Sequence, residues 1–197
     1  GITTSASSNI FSNVINALSC VGTTSGVTNG IMVTGGTTVN VYKNKIYDLS
    51  TTGAFTTAPG VNGIVLSGTA TAATRNVYNN LVGDLKAPAS TSADAIRGIS
   101  VTATGTTSTF NVYYNTVYMN ATGGATFGTS GIFHAASTTA TTAALNLRNN
   151  IIYNTSTTAG AGLTVAFRRS AGAAGNLANY ASTSNNNDFY AGTPSAS

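Results

Sequence analysis

Asp48 and Asp84 each stand four places after an asparagine, Asn44 and Asn80, in two similar segments of the chain. If those segments stack in register, the two carboxylates lie on adjacent strands, about 5 Å apart. That is the spacing of the carboxyl pair in a retaining glycosidase, and two such groups could also share a calcium ion. The competing reading is a pair of exposed charges at strand ends, eased by Lys45 and Lys86. Catalysis needs partners for the pair. The other acids are Asp94 and Asp188, glutamate is absent, and no triad of carboxylates recurs across the copies. His134 is the only histidine and falls on the inward face of its segment, with no Ser, Cys or Asp partner suggested nearby. A core or rim histidine held by backbone fits better than a general base. One His and the lone Cys20 are too few for a metal site, and Cys20 reads as a small buried hydrophobe. The sequence therefore predicts no catalytic residue, no metal and no cofactor.

Aromatic residues recur at two offsets from the asparagines. Phe11, Tyr42, Tyr78 and Tyr113 stand two places before, and Tyr47, Tyr118, Tyr153 and Tyr190 three places after. Stacked in register they form stripes. A stripe such as Tyr42, Tyr78 and Tyr113 either binds sugar rings or a partner protein, or pads neighbouring strands by stacking. Arg168-Arg169, the one basic pair, reads as a solvated edge. Thr69-Ala70-Thr71, Thr102-Ala103-Thr104 and Thr139-Ala140-Thr141 resemble the Thr-x-Thr rows of ice-binding surfaces, but they drift against the asparagines by two places. Ice binding stays a minor alternative.

All of these positions are set by one repeat. Asn111-Val112-Tyr113-Tyr114-Asn115-Thr116-Val117-Tyr118 is its clearest copy, and the second asparagine recurs at Asn13, Asn44, Asn80, Asn115, Asn150 and Asn187. The steps are 31, 36, 35, 35 and 37 residues, so a single unit spans 1–197. Two places after the anchors stand Ile15, Ile46, Val82, Val117, Ile152 and Phe189, and three places before stand Ile10, Val41, Val77, Val112 and Leu147. These columns suit aliphatic ladders inside a stack of parallel strands about 4.8 Å apart. An earlier strand in each copy opens on Gly30, Gly63, Gly98, Gly131 and, more loosely, Gly162. Its last column reads Val33, Leu66, Val101, His134, Val165. The glycines suit unusual backbone angles or a close approach. The anchor asparagines suit left-handed bends, and their amides suit a ladder from rung to rung. Thr38, Thr74 and Thr109, six places before their anchors, suit an exposed face.

Composition agrees. Only 6% of residues are charged, against roughly 25% in ordinary soluble domains. Eight basic and four acidic residues give +4 without a basic cluster, a poor nucleic-acid signature. No apolar run approaches the ~20 residues of a membrane-spanning helix. A start at Gly1 reads as a processed chain or a fragment.

The repeat resembles the right-handed parallel β-helix, the pectate-lyase-like coil with a Val/Ile-x-x-Asn-x-Ile/Val pattern and an Asn ladder. More narrowly, Leu147-Arg148-Asn149-Asn150-Ile151-Ile152 and Ser184 through Pro194 resemble the carboxy-terminal coils of large secreted and surface proteins of Gram-negative bacteria. The resemblance implies an all-β solenoid of about six coils, with linkers that form larger loops or an extra strand, and an extracellular location. It also implies that lyases, adhesins and structural proteins are all open as functions. Enzymes on this fold use several acids, often with calcium and an Arg or Lys, which this chain supplies sparsely. Neither end reads as the amphipathic cap of a monomeric solenoid. The primary expectation is a non-catalytic extracellular subunit of a surface filament or adhesin stalk, assembling as a homo-oligomer or head-to-tail polymer. The alternative is a carbohydrate-binding or polysaccharide-degrading module that meets surface glycans.

Overall fold

The structure, a computed structural model, describes residues 1–22, 26–56, 59–170 and 178–192. It is a parallel β-solenoid without helices among the described residues. One six-stranded sheet stacks Ile2–Thr4, Thr28–Val33, Val61–Leu66, Ile96–Val101, Thr129–His134 and Thr164–Arg169. A second, of five strands, stacks Ser8–Phe11, Thr38–Tyr42, Thr74–Tyr78, Thr109–Tyr113 and Ala144–Arg148. A third, of six, stacks Val14–Ile15, Lys45–Ile46, Leu81–Gly83, Thr116–Met119, Ile151–Asn154 and Asp188–Tyr190. The extra strand left open by the coil length is present, among the described residues, in three rungs, as Leu18–Cys20, Leu49–Thr51 and Leu85–Lys86.

Every pairing between these strands is parallel, and the second sheet keeps the sequence alignment residue for residue: Asn40, Asn76, Asn111 and Asn146 lie in one row, with Val41, Val77, Val112 and Leu147 in the next. The expected aliphatic columns face inward, and Ile46, Val82, Val117, Val41, Val77, Val112 and Leu147 have no exposed surface. Each such side chain contributes about 1.5–3 kcal/mol by leaving water. The exception is Phe189, in the last rung, which is 41% exposed.

The glycine column exists for close approach. Gly30, Gly63, Gly98 and Gly131 all have ordinary negative-φ backbones. A Cβ on Gly98 would stand 2.5 Å from the Gly131 carbonyl oxygen and 2.5 Å from Val117 Cγ1. Bare backbone in the first sheet is thus the floor on which the Ile/Val column of the third sheet rests. The fifth member was assigned wrongly by sequence. The register pairs Ser130 with Val165 and Ile132 with Phe167, which sets Ala166, and not Gly162, beside Gly131. The same register ends the His134 column on Arg169 and not on Val165. Ala166 stands 16 places after Asn150, as Gly131 does after Asn115, so the count holds and the column exchanges glycine for alanine, while the looser apolar alternation after Gly162 imitates it four places early.

The corner also differs from expectation. The left-handed residue is the one before each anchor: Ser12, Lys43, Asn79, Tyr114, Asn149 and Asn186, with φ from 52° to 56°. The anchor asparagines are not in that region. Left-handed Lys and Tyr are uncommon, and what holds them there is the anchor amide that follows.

Replacing Gly98 by alanine should cost about 2–3 kcal/mol, because both clashing neighbours are packed and one is backbone. Urea denaturation followed by circular dichroism measures it. A cost under 0.5 kcal/mol would mean that the two sheets are free to separate at that rung.

Candidate functional site

The inner ladder is built from the anchor amides. Asn80 shows the pattern: its N–H and Nδ2 donate to Asn115 Oδ1 at 3.1 and 2.9 Å, and Nδ2 also donates to Val41 O at 2.9 Å. Its own Oδ1 accepts from Asn44 N–H and Nδ2. Each interior amide thus uses all four of its hydrogen-bonding positions while less than 3% exposed. The ladder has a direction, because every rung donates to the one that follows it in sequence, from Asn13 to Asn44 and finally from Asn150 to Asn187. At the first rung no described group donates to Asn13 Oδ1. At the last, Asn187 Nδ2 reaches Leu147 O at 3.1 Å, and no further asparagine accepts from its N–H.

An outer ladder, not anticipated from sequence, runs the other way. Asn40, Asn76 and Asn111 each donate from Nδ2 to the Oδ1 of the preceding rung at 2.8 Å. Its signal was the first asparagine of every Asn-Val-Tyr copy.

The third sheet leads to the corner that carries Asp48 and Asp84. Both residues are left-handed, with φ of 53° and 49°, a conformation that Asp tolerates better than most residues. They do stack. Lys86 Nζ bridges them, 3.1 Å from Asp48 Oδ1 and 2.9 Å from Asp84 Oδ2. The bonds to Asp84 and then to Asp48 raise the Lys86 pKa. Lys45 does not join them, and its ammonium lies 4.8 Å over the Tyr47 ring. A cleft of about 370 Å3 opens beside this corner, lined by Asp84, Leu85, Lys86, Pro88, Asn120, Ala121 and Thr122.

Phe11 stacks on Tyr42 at a centroid distance of 5.0 Å and Tyr42 on Tyr78 at 4.9 Å, each pair within 6° of parallel. Tyr113 leaves that stack. Its hydroxyl donates to Asn111 Oδ1 at 2.7 Å and accepts from Asn146 Nδ2 at 2.6 Å, and Arg148 lies 5.8 Å over its ring. The second stripe stacks Tyr118 on Tyr153 at 6.0 Å and Tyr153 on Tyr190 at 4.4 Å.

Sequence reasoning missed a cluster assembled from three rungs. Asp94 accepts from Arg97 Nε at 2.7 Å and from Ser130 Oγ at 2.6 Å, and Arg168 Nη1 stands 3.8 Å away. Arg97 also lies 3.5 Å over the Phe133 ring. Burial lowers the Arg97 pKa and Asp94 opposes that shift. The cluster ties the loop before Ala95 to the outer face of the first sheet. Arg168 is thus engaged with Asp94 and the Ala93 carbonyl, in contrast to the solvated edge expected of it. Arg75 points into the core with no exposed surface, donates to Ser67 O and lies 5.2 Å from the Phe110 ring. Desolvation lowers its pKa.

His134 is fully buried, and its Nε2 donates to Ala143 O at 3.0 Å. Beside it Asn179 Nδ2 donates to Thr142 O at 2.8 Å and Ala135 O at 3.1 Å, while Asn179 Oδ1 accepts from Arg169 Nη2. Desolvation, aided by the Arg169 charge against the pull of the Ala143 carbonyl, lowers the His134 pKa to about 4. The ring is a neutral structural member at pH 7.

Among the described residues no three His, Cys, Asp or Glu side chains gather to hold a metal ion, and no helix is long and apolar enough to cross a membrane. The Thr-x-Thr rows stay out of register, because Thr104 donates its N–H to Gly68 O and so aligns with Thr69. Pro194, the end of the segment that carries the family resemblance, lies outside the described residues. Comparisons with protein-family models, curated proteins and solved structures returned no match to the chain.

Two variants test these environments. Asn115→Ala leaves the Asn80 N–H, one Asn80 Nδ2 hydrogen and the Val77 carbonyl unpaired in the core. Its cost should be about 3–5 kcal/mol in urea unfolding. For His134, the unfolded chain takes up the proton near pH 6.5 and the folded chain near 4. Stability present above pH 6.5 is therefore lost as pH falls from 6.5 to 4, by roughly 3 kcal/mol. His134→Gln should remove that slope, and equal pH profiles for the two proteins would refute it.

Proposed function

We propose that the chain is a non-catalytic extracellular structural module that polymerises end to end, rung onto rung, with a second copy of itself. The setting we infer is a surface filament or stalk, of the kind the repeat resembles in large secreted and surface proteins of Gram-negative bacteria. The observation that carries the reading is the directional inner ladder, whose open acceptor at Asn13 complements the open donor at Asn187. A second copy that continues the register would close both.

The other columns support the same continuation. Phe189 and Phe167 line an open cavity of about 1080 Å3 at the last rung, together with Leu163, Val165 and Ala191. In the continued register Ile15 of the next copy follows Phe189, and Ile2 follows Phe167. At the first rung Phe11 is 51% and Val14 65% exposed. Edge strands with this much apolar surface and few charges are templates for pairing, and a head-to-tail contact that does not close yields a filament.

Continuation also sets Asp188 of one copy beside Val14 of the next, since both stand one place after an anchor. Val14→Asp should therefore weaken assembly by setting like charges on adjacent strands, and Val14→Lys should strengthen it. Electron microscopy and light scattering of the purified proteins read the result. Rods that grow by about 30 Å per copy, shortened in Val14→Asp and lengthened in Val14→Lys, are expected. Monodisperse monomers for all three at high concentration would overturn the reading.

A further inference from the structure

The second aromatic stripe has a missing member. Its column runs Tyr47, Gly83, Tyr118, Tyr153, Tyr190, with Gly83 paired to Tyr118 and Tyr118 to Tyr153. A Cβ added at Gly83 would meet only Tyr118, its carbonyl oxygen at 3.3 Å and its Cβ at 3.9 Å. No other side chain crowds that start of the space. Tyr47 and Tyr118 are two rungs apart, about 9.6 Å. Within this protein rings stacked on neighbouring rungs stand 4.9–5.0 Å apart in the first stripe and 4.4–6.0 Å apart in this one. A flat guest held between Tyr47 and Tyr118 would thus have a native stacking distance on both faces. Tyr118 is 44% exposed although Tyr153 stacks on it. The flexible, exposed Lys45 side chain, with Nζ over Tyr47, is a group that a guest would move or accept a hydrogen bond from.

We propose that this vacancy is a binding slot for the terminal pyranose of a neutral glycan. The rim decides the chemistry. Asp84 follows Gly83 directly and offers carboxylate oxygens beside Asp48, and Lys86 between them offers an ammonium. The adjoining cleft adds Asn120 and Thr122. A flat apolar slot within a collar of acceptors and donors matches a sugar ring, with its C–H faces and its rim of hydroxyls. An aromatic side chain would use the slot and leave the collar idle. The two carboxylates and one ammonium carry net negative charge, which disfavours a uronic acid. Both ring faces are walled, so the sugar enters edge first and its glycosidic bond points to solvent, which selects a terminal unit. The site lies on the side of the solenoid and does not depend on assembly at the ends.

The test uses the whole chain with methyl glucoside, methyl galactoside and methyl mannoside in saturation-transfer NMR, followed by a glycan array. At least one neutral terminal sugar should bind at millimolar affinity, with transfer to its C–H protons. Gly83→Tyr fills the slot from within and should weaken binding at least tenfold while the melting temperature holds or rises. Tyr118→Ala should weaken it similarly, and decides the matter if Gly83→Tyr does not fold. Binding unchanged in either folded variant overturns the proposal. So does the absence of any neutral glycan ligand, or a tyrosine-ended peptide that occupies the slot when sugars do not.

Discussion

The corner amide is the interaction on which this solenoid depends. A chain that turns from the second sheet into the third within two residues must pass one of them through the left-handed region. That turn removes the anchor N–H and a strand-end carbonyl from the regular ladder of each sheet. The inward asparagine of the next rung restores both pairings, its Oδ1 accepting from the anchor N–H and its Nδ2 donating to the strand-end carbonyl of the rung behind. A buried polar group left unpaired costs about 1–3 kcal/mol, so six corners without asparagine would outweigh the net stability of a domain this size. This also explains why the residue ahead of the anchor varies so freely. Lys43 and Tyr114 are held left-handed by the bonds around them, not by local preference.

The ladder has a second consequence. Because each amide is completed by its neighbour, no rung is self-sufficient, and the two terminal rungs retain complementary deficits. A globular core closes on itself, whereas this stack closes only through a further rung. The outer asparagine ladder donates in the opposite sense and closes at Asn146, whose Oδ1 accepts from Arg148 Nε and Thr183 Oγ1.

What was legible in the sequence was whatever recurs at the period. The aliphatic columns, the aromatic stripes, the outward threonines and the stacking of Asp48 on Asp84 all follow from counting to the second asparagine. The parts that stayed hidden change residue type within a column or depend on residues from several rungs. The last first-sheet strand keeps the count but carries Ala166 in the glycine column, so Gly162, four places earlier, imitated its member. The Asp94, Arg97, Ser130 and Arg168 cluster draws one residue from a loop and the others from three strands. His134 could be placed on the inward face, but its Asn179 neighbour, 45 residues away, follows no column. The left-handed residue stands one place before the anchor, because the anchor's side chain serves as an inward hydrogen-bonding group, a use that asparagine's tolerance of left-handed angles does not reveal.

A regular stack also changes what a binding site requires. In most folds a site is built by bringing unlike loops together around a cavity. Here the side chains of one column already stand at ring-stacking distance, so omitting one of them leaves a gap whose walls and width are set by its neighbours. Gly83 is such an omission, and it falls in the rung where Asp84 and Lys86 place charge on the adjoining corner. The walls come from Tyr47 and Tyr118 in different rungs and the rim from one turn of chain, so the gap keeps its width only while all three rungs stay in register. The inner asparagine ladder fixes that register, at Asn44, Asn80 and Asn115, a few residues from the gap. The same amides that hold the stack together therefore also hold the two ring faces apart.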